Sequence, residues 1–253
     1  MSNVVLDLFS GTGSATKAFA EDTSWEAFRV EKDPEVVEEY GAELQSDILK
    51  VEPTDLPEAD VVWASPPCTD FSIACCYQKW TQNKLPKSKS VSASVRLVYR
   101  TLWLIQEIEP DYWFLENPRG MMRRIMPFEP EGTVTYCQYG FDYMKPTDLY
   151  GDHPPSMVYR RCKPMDTCHL HNPSSRDGKY SGVFRDRTRR TNRMDNRQDT
   201  VKLERRSAFH QKTSGQATDV RSRVPFELSK EIKESVENPG QSQRQMNLEN
   251  LHQ

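Results

Sequence analysis

Over about the first 145 positions, short apolar runs alternate with segments whose apolar residues recur at helical spacing. Val4-Val5-Leu6-Asp7-Leu8-Phe9 reads as a strand, and Ala15-Thr16-Lys17-Ala18-Phe19-Ala20 after it has helical composition. Ala27-Phe28-Arg29-Val30 predicts a second strand, and Asp33 with Pro34 marks the start of a helix to Tyr40, as an N-cap followed by proline at the first helical position. A short third strand is expected near Ala42–Gln45, and a fourth over Asp60-Val61-Val62-Trp63-Ala64. Val95, Leu97, Val98, Leu102, Leu104, Ile105 and Ile108 outline a helix that Pro110 ends; Trp113-Phe114-Leu115 is the fifth strand and Thr133 to Cys137 the sixth. Beyond Lys145-Pro146-Thr147 the pattern decays until Val224, Leu228, Ile232 and Val236 fall four apart on one helical stripe. The polar residues from Asn238 to Gln253 read as a frayed tail.

Strands alternating with helices predict an α/β fold, a mostly parallel sheet with right-handed crossovers whose ligands sit outside the carboxyl ends of the strands. Those ends are furnished. The turn Ser10-Gly11-Thr12-Gly13-Ser14 follows the first strand, and its glycines allow a ligand close to the backbone. Thr16 stands where a dinucleotide fingerprint requires its third glycine, which disfavours NAD. Glu31 ends the second strand, where an acid can accept from a ribose diol, and Asp47-Ile48 follows the third. The fourth strand runs into Ser65-Pro66-Pro67-Cys68-Thr69-Asp70-Phe71-Ser72, where two prolines fix the backbone and present one thiol. A cysteine so held is a candidate nucleophile; the alternative is a small buried cysteine packing as a hydrophobe. Glu116-Asn117-Pro118 ends the fifth strand, so all these groups can face one crevice.

At 253 residues and 29.3 kDa the chain has room for one α/β domain with an appendage. It lacks an eighteen-residue apolar stretch, Met1-Ser2-Asn3-Val4 is no basic-then-apolar leader, and six cysteines show no disulfide-framework spacing; a cytoplasmic protein in a reducing compartment is expected, without a membrane partner. Charge is unevenly placed. Residues 1–62 carry fifteen acids against four bases, whereas residues 176–206 carry eleven bases against five acids. That basic segment, with Arg187, Arg189 and Arg190, is either a polyanion-binding face or a solvated linker. The polar stretch Cys75 to Ser94 holds Lys79, Lys84, Lys87 and Lys89 and reads as a lid over a phosphate backbone or as a solvated loop.

Taken in order, Asp7-Leu8-Phe9-Ser10-Gly11-Thr12-Gly13, Glu31, Asp47-Ile48, Pro66-Pro67-Cys68 with Phe71-Ser72, and Glu116-Asn117 resemble the cytosine-C5 DNA methyltransferases that use S-adenosylmethionine. The resemblance covers residues 4 to about 145, and the helix at Val224 to Ile232 looks like the family's final motif. It implies a seven-stranded Rossmann-like class I methyltransferase sheet over 1–149 and 216–237, with a small basic recognition region at 150–215. It also implies a methyl-donor pocket of Asp7, Phe9, Ser10, Gly11, Thr12, Gly13, Glu31, Asp47, Ile48 and Pro66, which releases S-adenosylhomocysteine. Cys68 would add to carbon 6 of a flipped cytosine while Glu116 donates to ring nitrogen N3. DNA is the expected partner of a monomer, in a prokaryote or virus, and the four lysines and three arginines above are the candidate contacts.

The chain departs from the family pattern in places. No Gln-x-Arg-x-Arg follows the sixth strand, so Arg160 or Arg161 is the expected substitute, and Pro118 stands where the family has valine. Cys162-x5-Cys168-His169-x-His171 matches no standard zinc spacing and reads as an incidental loop, so no metal is expected. Ser65-Pro66-Pro67-Cys68 argues against an exocyclic-amino methyltransferase; a tRNA cytosine methyltransferase and a nucleic-acid-binding homologue of weakened activity remain open.

Overall fold

The computed structural model describes residues 2–73, 76–141, 143–163, 168 and 223–240. Seven strands form one sheet in the order β3-β2-β1-β4-β5-β7-β6. These are β1 Asn3–Leu8, β2 Trp25–Glu31, β3 Leu44–Gln45, β4 Val61–Ala64, β5 Tyr112–Pro118, β6 Gly132–Thr135 and β7 Pro146–Asp152. The first five in that order run parallel, and β7 lies antiparallel to both β5 and β6. β1, β4 and β5 are apolar on both faces because both are covered. Leu6, Leu8, Val62, Ala64 and Leu115 face a layer with α4 (Lys89–Ile108), whose Val98, Leu104 and Ile105 are buried. The alternate residues Val5, Val61, Trp63 and Phe114 face the other layer, where Phe19 of α1 (Lys17–Ala20) packs with Leu228 and Ile232. Those two leucine and isoleucine side chains come from the last described helix, Phe226–Glu237. The remaining helices are short: α2 Pro34–Tyr40, α3 Cys76–Lys79 and α5 Met122–Ile125, which makes the last one α6.

Three features differ from the sequence expectation. β7 occupies a stretch without strand periodicity, because Pro146, Asp148 and Gly151 interrupt it. Tertiary partners hold it there: Asp148, almost fully buried, accepts from Arg123 Nε and Nη2 at 2.6 Å each, and a Cβ on Gly151 would stand 1.8 Å from the Trp113 carbonyl oxygen. β7 also runs three residues past the boundary expected at 149, and Met157 and Tyr159 pack into the second core layer beyond it. Finally, α4 begins at Lys89 rather than Val95, with Ser88 as N-cap accepting from Val91 N at 3.3 Å. Its serine-rich first turn buries only Val91, too little apolar signal to read as helix.

The C-terminal stripe does form the expected helix. α6 closes on the first βα unit through Ser229 Oγ, which accepts from Ala18 N at 3.2 Å, and through Glu237, which accepts from Trp25 Nε1 at 2.8 Å. Just ahead of it Val224 N donates to Ser14 Oγ at 2.9 Å. Residues far apart in sequence thus brace the glycine turn.

Candidate active site at the carboxyl edge of the sheet

The turn after β1 is wound tightly around the end of β2. Phe9 and Ser10 both donate their amides to Val30 O, at 3.1 and 3.0 Å, which forces Phe9 to φ +93°, a costly conformation for a residue with a side chain. Gly11 and Gly13 take φ +51° and +69°, and a Cβ on Gly11 would meet nothing within 4 Å, so the turn is open on that side. Glu31 closes it from β2: Oε2 accepts from Gly11 N at 3.0 Å, while Oε1 accepts from Lys32 N and Asp33 N. Beneath the turn Asp7 is fully buried; its Oδ2 accepts from Thr16 Oγ1 at 3.0 Å and its Oδ1 has no hydrogen-bond partner. Burial pushes its carboxyl up to about 7, against the lowering effects of Thr16 and of the Arg29 charge. Ser10 Oγ is likewise buried without a partner. Thr16, the residue that spoils the dinucleotide fingerprint, is thus the one that anchors Asp7.

Asp47 sits past β3 with Oδ1 accepting from Leu49 N at 3.0 Å, while Ile48 is a core residue. Pro66 is buried and its carbonyl accepts from Asn117 Nδ2 at 3.0 Å. Cys68 opens a 3-10 turn to Asp70 and is half-buried, with its carbonyl accepting from the amides of Phe71 and Ser72 at 3.0 Å. A second seam ties this loop to the one after β5, through Met121 N to Phe71 O at 2.7 Å and a bridge between Ser72 and Gly120. Gly120 is obligatory there, since a Cβ would lie 2.1 Å from Phe71 O. Because Ala64 is paired with Leu115, the Cys68 loop and Glu116 leave neighbouring strands at one level.

Glu116 is 4 % exposed and accepts from Tyr136 Oη at 2.9 Å; Lys145 Nζ stands 3.7 Å from the same oxygen and 4.4 Å over the Tyr136 ring. Burial first, then the Glu116 charge, holds the Tyr136 hydroxyl well above its ordinary range, so it remains a donor. Lys145 is absent from the sequence-based site. Its only signal is a base immediately before β7, and the pairing of Thr147 with Pro118 and of Thr135 with Pro146 is what delivers it. The two expected substitutes are engaged elsewhere. Arg160 pairs with buried Glu231 of α6 and lies 5.3 Å over the Tyr139 ring, and Arg161 Nε donates to Thr133 O at 2.9 Å.

The four lysines do not act alike. Lys79 braces the Cys68 turn by donating to Thr69 O at 3.1 Å and pairing with Asp70. Burial pushes the Asp70 carboxyl up, but hydrogen bonds from Lys79 and Ser94 prevail and hold it below the usual range. Lys87 Nζ donates to Tyr77 O at 2.6 Å, and Lys84 (φ +62°) and Lys89 are exposed. Arg187, Arg189 and Arg190, like His169 and His171, lie outside the described residues.

The 3-2-1-4-5-7-6 sheet, with a glycine turn after β1 and an acid at the end of β2, is that of a Rossmann-like methyltransferase. The model of the C-5 cytosine-specific DNA methylase family matches residues 4–125. The "Probable DNA (cytosine-5)-methyltransferase" of Frog virus 3 (isolate Goorha) is 32% identical over 187 residues, which cover 68% of this chain and 81% of that protein. The chain therefore belongs to the C-5 cytosine-specific DNA methylase family. The "Type II methyltransferase M.BsuFI" of Bacillus subtilis is 25% identical over 122 residues, 46% of this chain and 27% of its own length. Among solved structures, the Entamoeba histolytica methyltransferase EhMeth aligns with a TM-score of 0.42 at 11% identity, over 64% of this chain and 57% of that one. Among the described residues, no helix is long and apolar enough to cross a membrane.

Proposed function

We propose that this chain methylates carbon 5 of cytosine in DNA, with S-adenosylmethionine as donor and Cys68 as nucleophile. The observation that carries the reading is the double seam between the loops of Cys68 and Glu116, which holds a thiol and a buried carboxyl on adjacent strand ends. The donor's fit is supported by the open side of Gly11, by the partnerless buried atoms Asp7 Oδ1 and Ser10 Oγ, and by the Glu31 carboxylate beside the turn. When bound, the donor supplies an electrophilic methyl on a sulfonium, so the target carbon has to serve as the nucleophile.

Carbon 5 of cytosine is a poor nucleophile until the Cys68 thiolate adds to carbon 6 and shifts the ring electrons toward carbon 5. Glu116 enters as the acid, gives its proton to ring nitrogen N3 as charge builds on the ring, accepts from the exocyclic amine, and is left as a carboxylate beside Tyr136 and Lys145. Tyr136 Oη and Lys145 Nζ, both on Glu116 Oε1, keep that carboxyl aimed. After methylation a base removes the carbon 5 proton and Cys68 leaves. A stacked base cannot reach these groups, so the cytosine is flipped out of the duplex.

The test uses labelled S-adenosylmethionine with duplex DNA and with tRNA, wild type against Cys68→Ser. Label on cytosine carbon 5 of DNA is expected from wild type, with at least about a thousandfold loss in the variant. DNA carrying 5-fluorocytosine, which has no carbon 5 proton to lose, should trap a covalent complex only when Cys68 is present. Methyl transfer by the serine variant excludes the thiol, transfer to tRNA alone changes the substrate, and none from wild type leaves a binding protein.

A further inference from the structure

Three thiols outside this machinery meet at the far edge of the sheet. Cys137 lies in the 3-10 turn Tyr136–Tyr139 after β6 and is 5 % exposed. Its Sγ is 3.1 Å from that of Cys162 and 3.7 Å from that of Cys168, and all three sulfurs lie within 4.8 Å of one another. Among the described residues this is the one such convergence of three His, Cys, Asp or Glu side chains. It is not an accident of one loose loop, because the backbone delivers Cys162 independently of the sulfurs. Thr135 N donates to Arg160 O at 3.0 Å, Cys162 N donates to Thr135 Oγ1 at 2.7 Å, and Arg161 Nε holds Thr133 O.

We propose that Cys137, Cys162 and Cys168 are ligands of a structural zinc ion that clamps the chain to the β6 edge where it leaves the sheet. Tetrahedral zinc with Zn–S near 2.3 Å spaces its sulfurs by about 3.8 Å, so the Cys137–Cys168 pair is at that spacing and the Cys137–Cys162 pair needs to open by about 0.7 Å. Three thiolates this close repel one another, so they converge favourably only when a thiophilic dication neutralises them. Thr135, by accepting from Cys162 N, fixes the direction in which that thiol is presented. A water or a further side chain completes the fourth position. A Cys137–Cys162 disulfide is the competing chemistry, but it would use two of three converging sulfurs and leave Cys168 against them without a purpose.

The test is metal analysis of the full chain purified without chelator. About one zinc per chain is expected, and cobalt exchanged into the site should give thiolate-to-metal charge-transfer absorption with the strong visible bands of a tetrahedral ion. Cys168→Ser should release zinc to a chromogenic chelator at least about tenfold faster than wild type, whereas Cys76→Ser should not change the rate. Since serine variants can misfold, the wild-type cobalt spectrum stands as an independent readout. Zinc-treated wild type holding no metal above background, a cobalt spectrum without thiolate bands, or a Cys137–Cys162 disulfide in peptide maps of the isolated protein would each overturn the proposal.

Discussion

Asp7 is held away from water under the glycine turn, and that reverses the usual pH behaviour of a carboxylate. Its folded value of about 7 stands above the ordinary 3.8, so between those limits the folded chain keeps a proton that the unfolded chain has released. Its contribution to stability therefore falls as pH rises through that window and is level above it. Asp7→Asn should remove this slope: the unfolding free energy of the variant minus that of wild type should climb from about pH 4 to about pH 7 in urea titrations, and a flat difference would refute the burial argument. At Gly120 the issue is space. Gly120→Ala drives a Cβ to 2.1 Å from Phe71 O and parts the loops of Cys68 and Glu116, so methyl transfer should fall more than tenfold for a stability loss of only about 1–3 kcal/mol. Unchanged turnover would show that the seam does not position the two groups. Cys68, Glu116, Glu31 and the glycine turn are legible in the sequence because each follows an apolar run that stops at a turn. Lys145 and Gly120 are not, because their importance lies in what crosses from another loop.

At the scale of elements, α6 separates two kinds of surface. Leu228 is fully buried against the β1–β4 face, so Leu228→Ala should cost about 2–5 kcal/mol in urea unfolding. Lys230→Ala removes only the exposed pair with Glu234 and should change stability by less than about 0.5 kcal/mol. Similar costs for both would mean that α6 is not docked as described. Its four-residue stripe made the helix legible, as the continuous apolar runs did for β1, β4 and β5. β7 has no such pattern: its buried Asp148 is tolerated because Arg123 and Thr133 satisfy it, and neither partner is within ten residues. The serine-rich first turn of α4 is hidden for a related reason, since a capped turn on the surface needs little apolar content.

At the scale of the whole chain, charge is divided between an acidic first quarter, residues 1–62, and a basic segment at residues 176–206. If that segment meets the phosphate backbone, replacing Arg187, Arg189 and Arg190 together by alanine should make the plot of log affinity for DNA against log salt shallower by about 2–3 units. Anisotropy titrations at several salt concentrations read this directly, and an unaltered slope would remove these arginines from the interface. The amino-acid order alone determined the sheet class, most of the strands and helices, and which side chains stand at the strand ends, because period, turn formation and motif spacing are local properties of a chain. Only the tertiary structure decided that β7 enters antiparallel between β5 and β6, that Lys145 is the cation on Glu116, and that Cys137 meets Cys162 and Cys168. Those are pairings across sequence gaps, set by strand register and packing, which no local pattern encodes.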